Sequence, residues 1–108
     1  MTIQILHYEF LGPIKLSEWG PPMEEVVYLL LSRTKDTYSI LYVGESQKTD
    51  ERDFFTKNSK FKCWLSNAAS ENELYLAILP LWGSSEEDRQ KIVNKIIQRY
   101  KPTCNLEN

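Results

Sequence analysis

The chain has 108 residues, which is the usual size of one compact unit and leaves little room for a second core. Apolar residues make up 42% and charged residues 26%, and no apolar run approaches the roughly 20 residues of a membrane-spanning helix, so an ordinary globular chain without a membrane partner is expected. The formal net charge of -2 weighs against strong sequence-independent binding to DNA, which depends on lysine and arginine neutralising phosphates; only a local basic patch would offset it.

Met1-Thr2-Ile3-Gln4 has neither the basic start nor the long apolar stretch of a secretion signal, and a cytoplasmic location is the expectation. Cys63 and Cys104 are too far apart in sequence for a short metal-ligand pair, and His7 is the sole histidine. All three are read as structural, the two cysteines are taken as in keeping with the cytoplasm, and a zinc site is not expected.

Short extended pieces around Ile3, Ile5, Tyr8 and Phe10 are interrupted by Leu11-Gly12-Pro13 and by Trp19-Gly20-Pro21-Pro22. Residues 1–25 therefore read as an arm packed on a domain that spans residues 26–108. Residues 26–31 and 40–43 are β-branched and aliphatic runs separated by a polar stretch, the pattern of an antiparallel hairpin. Gly44 ends the second run, and Thr49-Asp50-Glu51 offers an N-cap and an acidic first turn for a short helix. A second helix is expected over residues 60–68. Residues 74–79 are apolar throughout, as in a strand covered on both faces, with Pro80 and Gly83 closing it. Ser84 and Glu87 form a capping-box pattern, after which Ile92, Val93, Ile96, Ile97 and Tyr100 recur along one helical face; Lys91, Lys95 and Arg99 line another, and Pro102 stops the helix. The expected class is α+β, with the order β-β-α-α-β-α: a small, mainly antiparallel three-stranded sheet flanked by helices.

Val27-Tyr28 on the first strand of the hairpin and Tyr42-Val43-Gly44 on the second resemble the two tripeptides that name the GIY-YIG nucleases. Arg52 follows Tyr42 by ten positions, the spacing of the catalytic arginine in the excision-repair members, and Lys101-Pro102-Thr103-Cys104-Asn105 resembles the family's closing proline and asparagine. The resemblance covers residues 26–105.

It implies phosphodiester hydrolysis, which needs a base for water, a cation for the scissile phosphate and a metal for the leaving oxygen. By resemblance, Tyr28 would help activate water, Tyr42 would stand beside the phosphate and Arg52 would stabilise charge, its planar donor fork matching phosphate oxygens. Gly44 would let the backbone pass close to substrate, with Ser46, Lys48 and Asn105 as further binding residues. Lys57, Lys60 and Lys62 make the region after the second tripeptide locally basic. A glutamate of the last helix would hold magnesium or manganese in an active member, but nine positions before Pro102 stands Val93, which cannot ligate a cation. Glu86 and Glu45 are the substitutes within reach of the pattern. Val26 also stands where the first tripeptide has glycine.

A catalytically degenerate domain that binds nucleic acid or another phosphate-bearing ligand in a Tyr28/Tyr42/Arg52 cleft is the leading expectation. The alternatives are an active divalent-metal-dependent endonuclease with a relocated carboxylate, and a protein-interaction module using the arm and Trp19. Each residue also has a plain structural reading: strand tyrosines pack, Arg52 could pair with Glu51 or Asp53, and Val93 completes an apolar stripe.

Overall fold

A computed structural model describes residues 2–18, 24–48, 60–68, 70 and 73–106, the side chains of Lys48 and Leu106 excepted. Five strands form one antiparallel sheet: β1 (Thr2–Ile5), β2 (Tyr8–Lys15), β3 (Glu24–Thr34), β4 (Thr37–Lys48) and β5 (Leu74–Pro80), in the spatial order β1-β2-β5-β3-β4. Among the described residues three helices follow or interrupt them: α1 (Phe61–Ser66), α2 (Glu86–Tyr100) and α3 (Thr103–Leu106). A 3-10 turn at Leu16–Glu18 leaves β2. The α+β class is as expected, but the sheet has five strands rather than three.

The difference lies in the N-terminal segment, which is not an arm laid over the domain but the source of β1 and β2. Ile3 pairs with Phe10, and Leu11 pairs with Ile78 of β5, so the segment completes the second side of β5. Gly12 and Pro13, read as a break, are absorbed by a register shift between Leu11 and Ile14. A bulge tolerates a proline without a ladder donor. Gly12 has φ 108°, and a Cβ there would come within 2.8 Å of the Leu76 carbonyl oxygen, so the bulge requires glycine.

The hairpin is longer than its apolar runs, because polar residues continue the ladder to Thr34↔Thr37 at one end and Glu24↔Lys48 at the other. The tight turn at Lys35-Asp36 places Lys35 at φ 58°. Strand β3 lies between β4 and β5, and β5 lies between β3 and β2. Their uninterrupted apolar sequences reflect cover on both faces. Side chains alternate between those faces. Val26, Tyr28, Leu30, Leu76 and Ile78 pack with Trp64 of α1 on one face, and Val27, Leu29, Leu31, Val43 and Ala77 pack with Val93 and Ile96 of α2 on the other.

The expected helix over residues 60–68 is observed one turn shorter, as α1. The expected helix beginning near Thr49, like Arg52 and Lys57, lies outside the described residues. Helix α2 starts one residue later than the Ser84/Glu87 pattern: Ser85 is the N-cap, its hydroxyl accepts from the Asp88 N–H, and the Asp88 carboxylate accepts from the Ser85 N–H. Lys101 in the left-handed region ends α2 before Pro102 and turns the chain into α3. No described helix is long and apolar enough to cross a membrane.

Candidate functional site

The register of the hairpin brings the two tyrosines together. Tyr28 stands opposite Gly44, and Tyr42 precedes Gly44 by two residues, hence on the same face of the sheet. The ring centroids of Tyr28 and Tyr42 lie 6.2 Å apart at an interplanar angle of 37°. Gly44 makes this possible, since a Cβ there would sit 2.7 Å from Cζ and Oη of Tyr28 and 2.9 Å from Tyr42. Tyr42 also meets Trp64 at 5.5 Å, and Trp64 meets Phe61 edge-on at 6.1 Å, giving a continuous aromatic row from β3 across β4 to α1. Half-buried Ser46 follows on the same face of β4, and exposed Lys62 follows Phe61 on α1.

Burial raises the Tyr42 phenol above its ordinary pKa of 10.0, and a hydrogen bond with Tyr28 partly offsets the shift. At neutral pH Tyr42 is therefore a neutral hydrogen-bonding group, not a phenolate. The Trp64 side chain is fully buried and its Nε1 has no hydrogen-bond partner. An orphan donor of this kind is uncommon in protein interiors, and we have no physical account of it.

Asn105 has a different position from that of a ligand-binding side chain. Its Oδ1 accepts from the Val43 N–H at 2.8 Å, and its Nδ2 donates to the Val43 carbonyl at 2.9 Å. Both ends of the amide are thus engaged by the backbone between Tyr42 and Gly44. The neighbouring Cys104 forms a disulfide with Cys63 of α1, with Cα atoms 5.8 Å apart. The sequence reading left these cysteines unpaired. Their pairing removes them as support for a cytoplasmic location, because structural disulfides persist mainly in oxidising compartments.

The residues considered for a metal are not brought to the tyrosines. Val93 is 3% exposed in the apolar cluster beneath α2, on the opposite face of the sheet. Glu45 also points to that side, where its carboxylate accepts from Arg89 Nε at 2.8 Å. Glu86 stands at the start of α2 and lines a cavity of about 340 Å³ together with Glu25, Glu45, Gln47, Ser84, Ser85 and Arg89. The residues named as relocated carboxylates therefore do not fit a divalent cation held between Tyr28 and Tyr42. Among the described residues, no group of three or more His, Cys, Asp or Glu side chains is placed to hold a metal ion.

Arg89 is the prominent residue that sequence reasoning missed. It is 3% exposed, its Nη1 donates to both the carbonyl and the hydroxyl oxygens of Ser84, and Glu25 lies 3.8 Å away. A signal was present: Arg89, Val93 and Ile96 are spaced i, i+4, i+7, which places a charge on the buried stripe of α2. An arginine there needs partners, and β4 and the turn before α2 supply them.

Comparison with family models, with curated proteins and with solved structures gives no match for this chain.

Proposed function

We propose that this chain is a catalytically degenerate GIY-YIG-type domain that binds nucleic acid, or another phosphate-bearing ligand, on the face carrying Tyr28, Tyr42, Gly44 and Ser46. The observation that carries this reading is the pairing of Tyr28 and Tyr42 over Gly44 on one face of the sheet, while Val93 is buried under the other. Tyr42, the partly exposed member of the pair, can donate its phenol hydrogen to a phosphate oxygen, while Tyr28, 3% exposed, braces it from the core. Lys60, the N-cap of α1, and exposed Lys62 are the chain neighbours of Phe61. Arg52, outside the described residues, is assigned the phosphate-neutralising role by its spacing from Tyr42. The Glu45 carboxylate is committed to Arg89, which weighs against the alternative of an active nuclease using that residue as a relocated ligand.

The deciding experiment measures binding of fluorescent single-stranded, duplex and branched DNA and of RNA across a salt series, together with cleavage in magnesium or manganese. The expected result is binding that weakens as salt rises, a loss of about tenfold in Arg52→Ala, and no cleavage by the wild type. Absence of binding to every nucleic acid would remove the reading. Metal-dependent cleavage abolished by Arg52→Ala would remove degeneracy and restore the nuclease alternative.

A further inference from the structure

The disulfide and the Asn105 amide act on the same short stretch of the candidate site. Val43 lies opposite Leu29 on β3, and β4 is the outermost strand of the sheet. Both backbone polar groups of Val43 are bonded to Asn105. In an antiparallel ladder the N–H and C=O of one residue point to the same side, so the Asn105 amide stands where a further strand would pair. Such an edge is normally open, and here a side chain closes it at the residue between Tyr42 and Gly44.

Helix α3, four residues long, packs against β4, and the disulfide adds a covalent hold on Asn105. Its neighbour Cys104 is fully buried and bonded to Cys63 at the start of α1, and Asn67 places its Nδ2 3.6 Å from one sulfur and 3.8 Å from the other. The bond joins positions 41 residues apart and ties α3 to the helix that carries Phe61 and Trp64. One covalent link thus fixes both the far end of the aromatic row and the residue that closes the β4 edge.

We propose that the Cys63–Cys104 disulfide is a redox control on the Tyr28/Tyr42 face, acting through the Asn105 clamp on Val43; as a claim about binding, it rests on the function proposed above. A dithiol reductant supplies the two electrons. One of its thiolates attacks a protein sulfur and breaks the S–S bond, and its second thiolate resolves the mixed disulfide. The reductant leaves as a cyclic disulfide, and Cys63 and Cys104 each take up a proton as thiols. Because the cysteines are buried, attack requires α3 to open first. After reduction no covalent bond restores Asn105 to Val43, and the β4 edge beside Tyr42 is released.

The test compares the oxidised full chain, the dithiol-reduced chain and the oxidised Asn105→Ala variant. Intact mass verifies the state of the cysteines by the gain of about 2 Da on reduction. Amide hydrogen exchange follows Val43 against Leu29 and Ala77 of the sheet centre, and a fluorescent single-stranded oligonucleotide reports binding. The expected result is faster exchange at Val43 in the reduced chain and in Asn105→Ala, with Leu29 and Ala77 still protected. Binding is expected to be about tenfold weaker in both forms than in the oxidised wild type. Val43 exchange that does not change on reduction overturns the clamp, whatever the binding result. Exchange that rises equally at Leu29 and Ala77 also overturns it, because the disulfide would then be a general staple. Equal binding by the oxidised and reduced chains overturns redox control and leaves the proposed function intact. If no form binds, the proposed function fails and control of binding fails with it, while a change confined to Val43 would still establish the clamp.

Discussion

The ring of Tyr28 lies across the backbone of Gly44 on the neighbouring strand, so closely that a methyl group at residue 44 would fall 2.7 Å from Cζ and Oη of that ring. It would also fall 2.9 Å from Tyr42, so neither tyrosine could make way by moving toward the other. Gly44→Ala is expected to destabilise the fold by about 1–3 kcal/mol, the usual range for overpacking a filled interior. Urea unfolding measures the loss, and near-ultraviolet circular dichroism should report the separation of the two rings. A variant as stable as the wild type would mean that the tyrosines do not sit over Gly44.

Val93→Glu introduces the residue type that the resemblance to GIY-YIG nucleases would call for at this position, but the structure gives it a different outcome. Val93 packs with Ile96, Val43 and Leu29 on the face away from the tyrosines. A carboxylate there would be buried without a partner, at an expected cost of several kcal/mol. No metal-dependent cleavage should appear, because the tyrosine pair lies across the sheet. Thermal unfolding and a plasmid-nicking assay check the two parts separately. A stable, cutting Val93→Glu variant would overturn this account of α2.

The sequence announced β3, β4, β5 and α2 because each carries a local signature: β-branched runs, an uninterrupted apolar strand, and a capped helix with an apolar stripe. Strands β1 and β2 were hidden by Gly12-Pro13, since a bulge and a chain break look alike until a partner strand is known. Tyr28, Tyr42 and Gly44 were found by resemblance, and their meeting depends on the register Tyr28↔Gly44, which no single strand encodes. The disulfide and the Asn105 clamp were illegible for a related reason: β5 and α2 separate α1 from α3 in the chain, and the two helices meet only in the tertiary structure. Asn105 was legible as a residue of interest, but not as a group whose amide is occupied by Val43.

Arg89 holds three segments together: Nε binds the Glu45 carboxylate at 2.8 Å, Nη1 binds Ser84, and the Glu25 carboxylate stands 3.8 Å away as a second anionic neighbour. Removing the cation leaves Glu45, whose side chain is 16% exposed, facing the start of α2 without its partner. Arg89→Ala is expected to cost roughly 3–5 kcal/mol, the range for breaking one half of a buried pair. Replacing both Arg89 and Glu45 by methionine should cost less than the sum of the single changes, because neither charge is then stranded. A double-mutant cycle in urea gives the coupling, and additive losses would show that the contact contributes little.

Tyr42 predicts how the site responds to alkali. Its pKa is raised above the ordinary 10.0, with burial as the largest cause and the Tyr28 hydrogen bond acting in the opposite direction. In the unfolded chain the phenol loses its proton near pH 10, so above that value the folded state binds more protons than the unfolded one. The associated stability is fully present below the unfolded pKa and is lost as pH rises through the folded value. Stability should therefore fall with pH in this alkaline window, and Tyr42→Phe should remove that part of the slope. Denaturant midpoints for the two proteins, measured from pH 8 upward, check the difference between them; parallel curves would place Tyr42 in contact with solvent instead of between Tyr28 and Trp64.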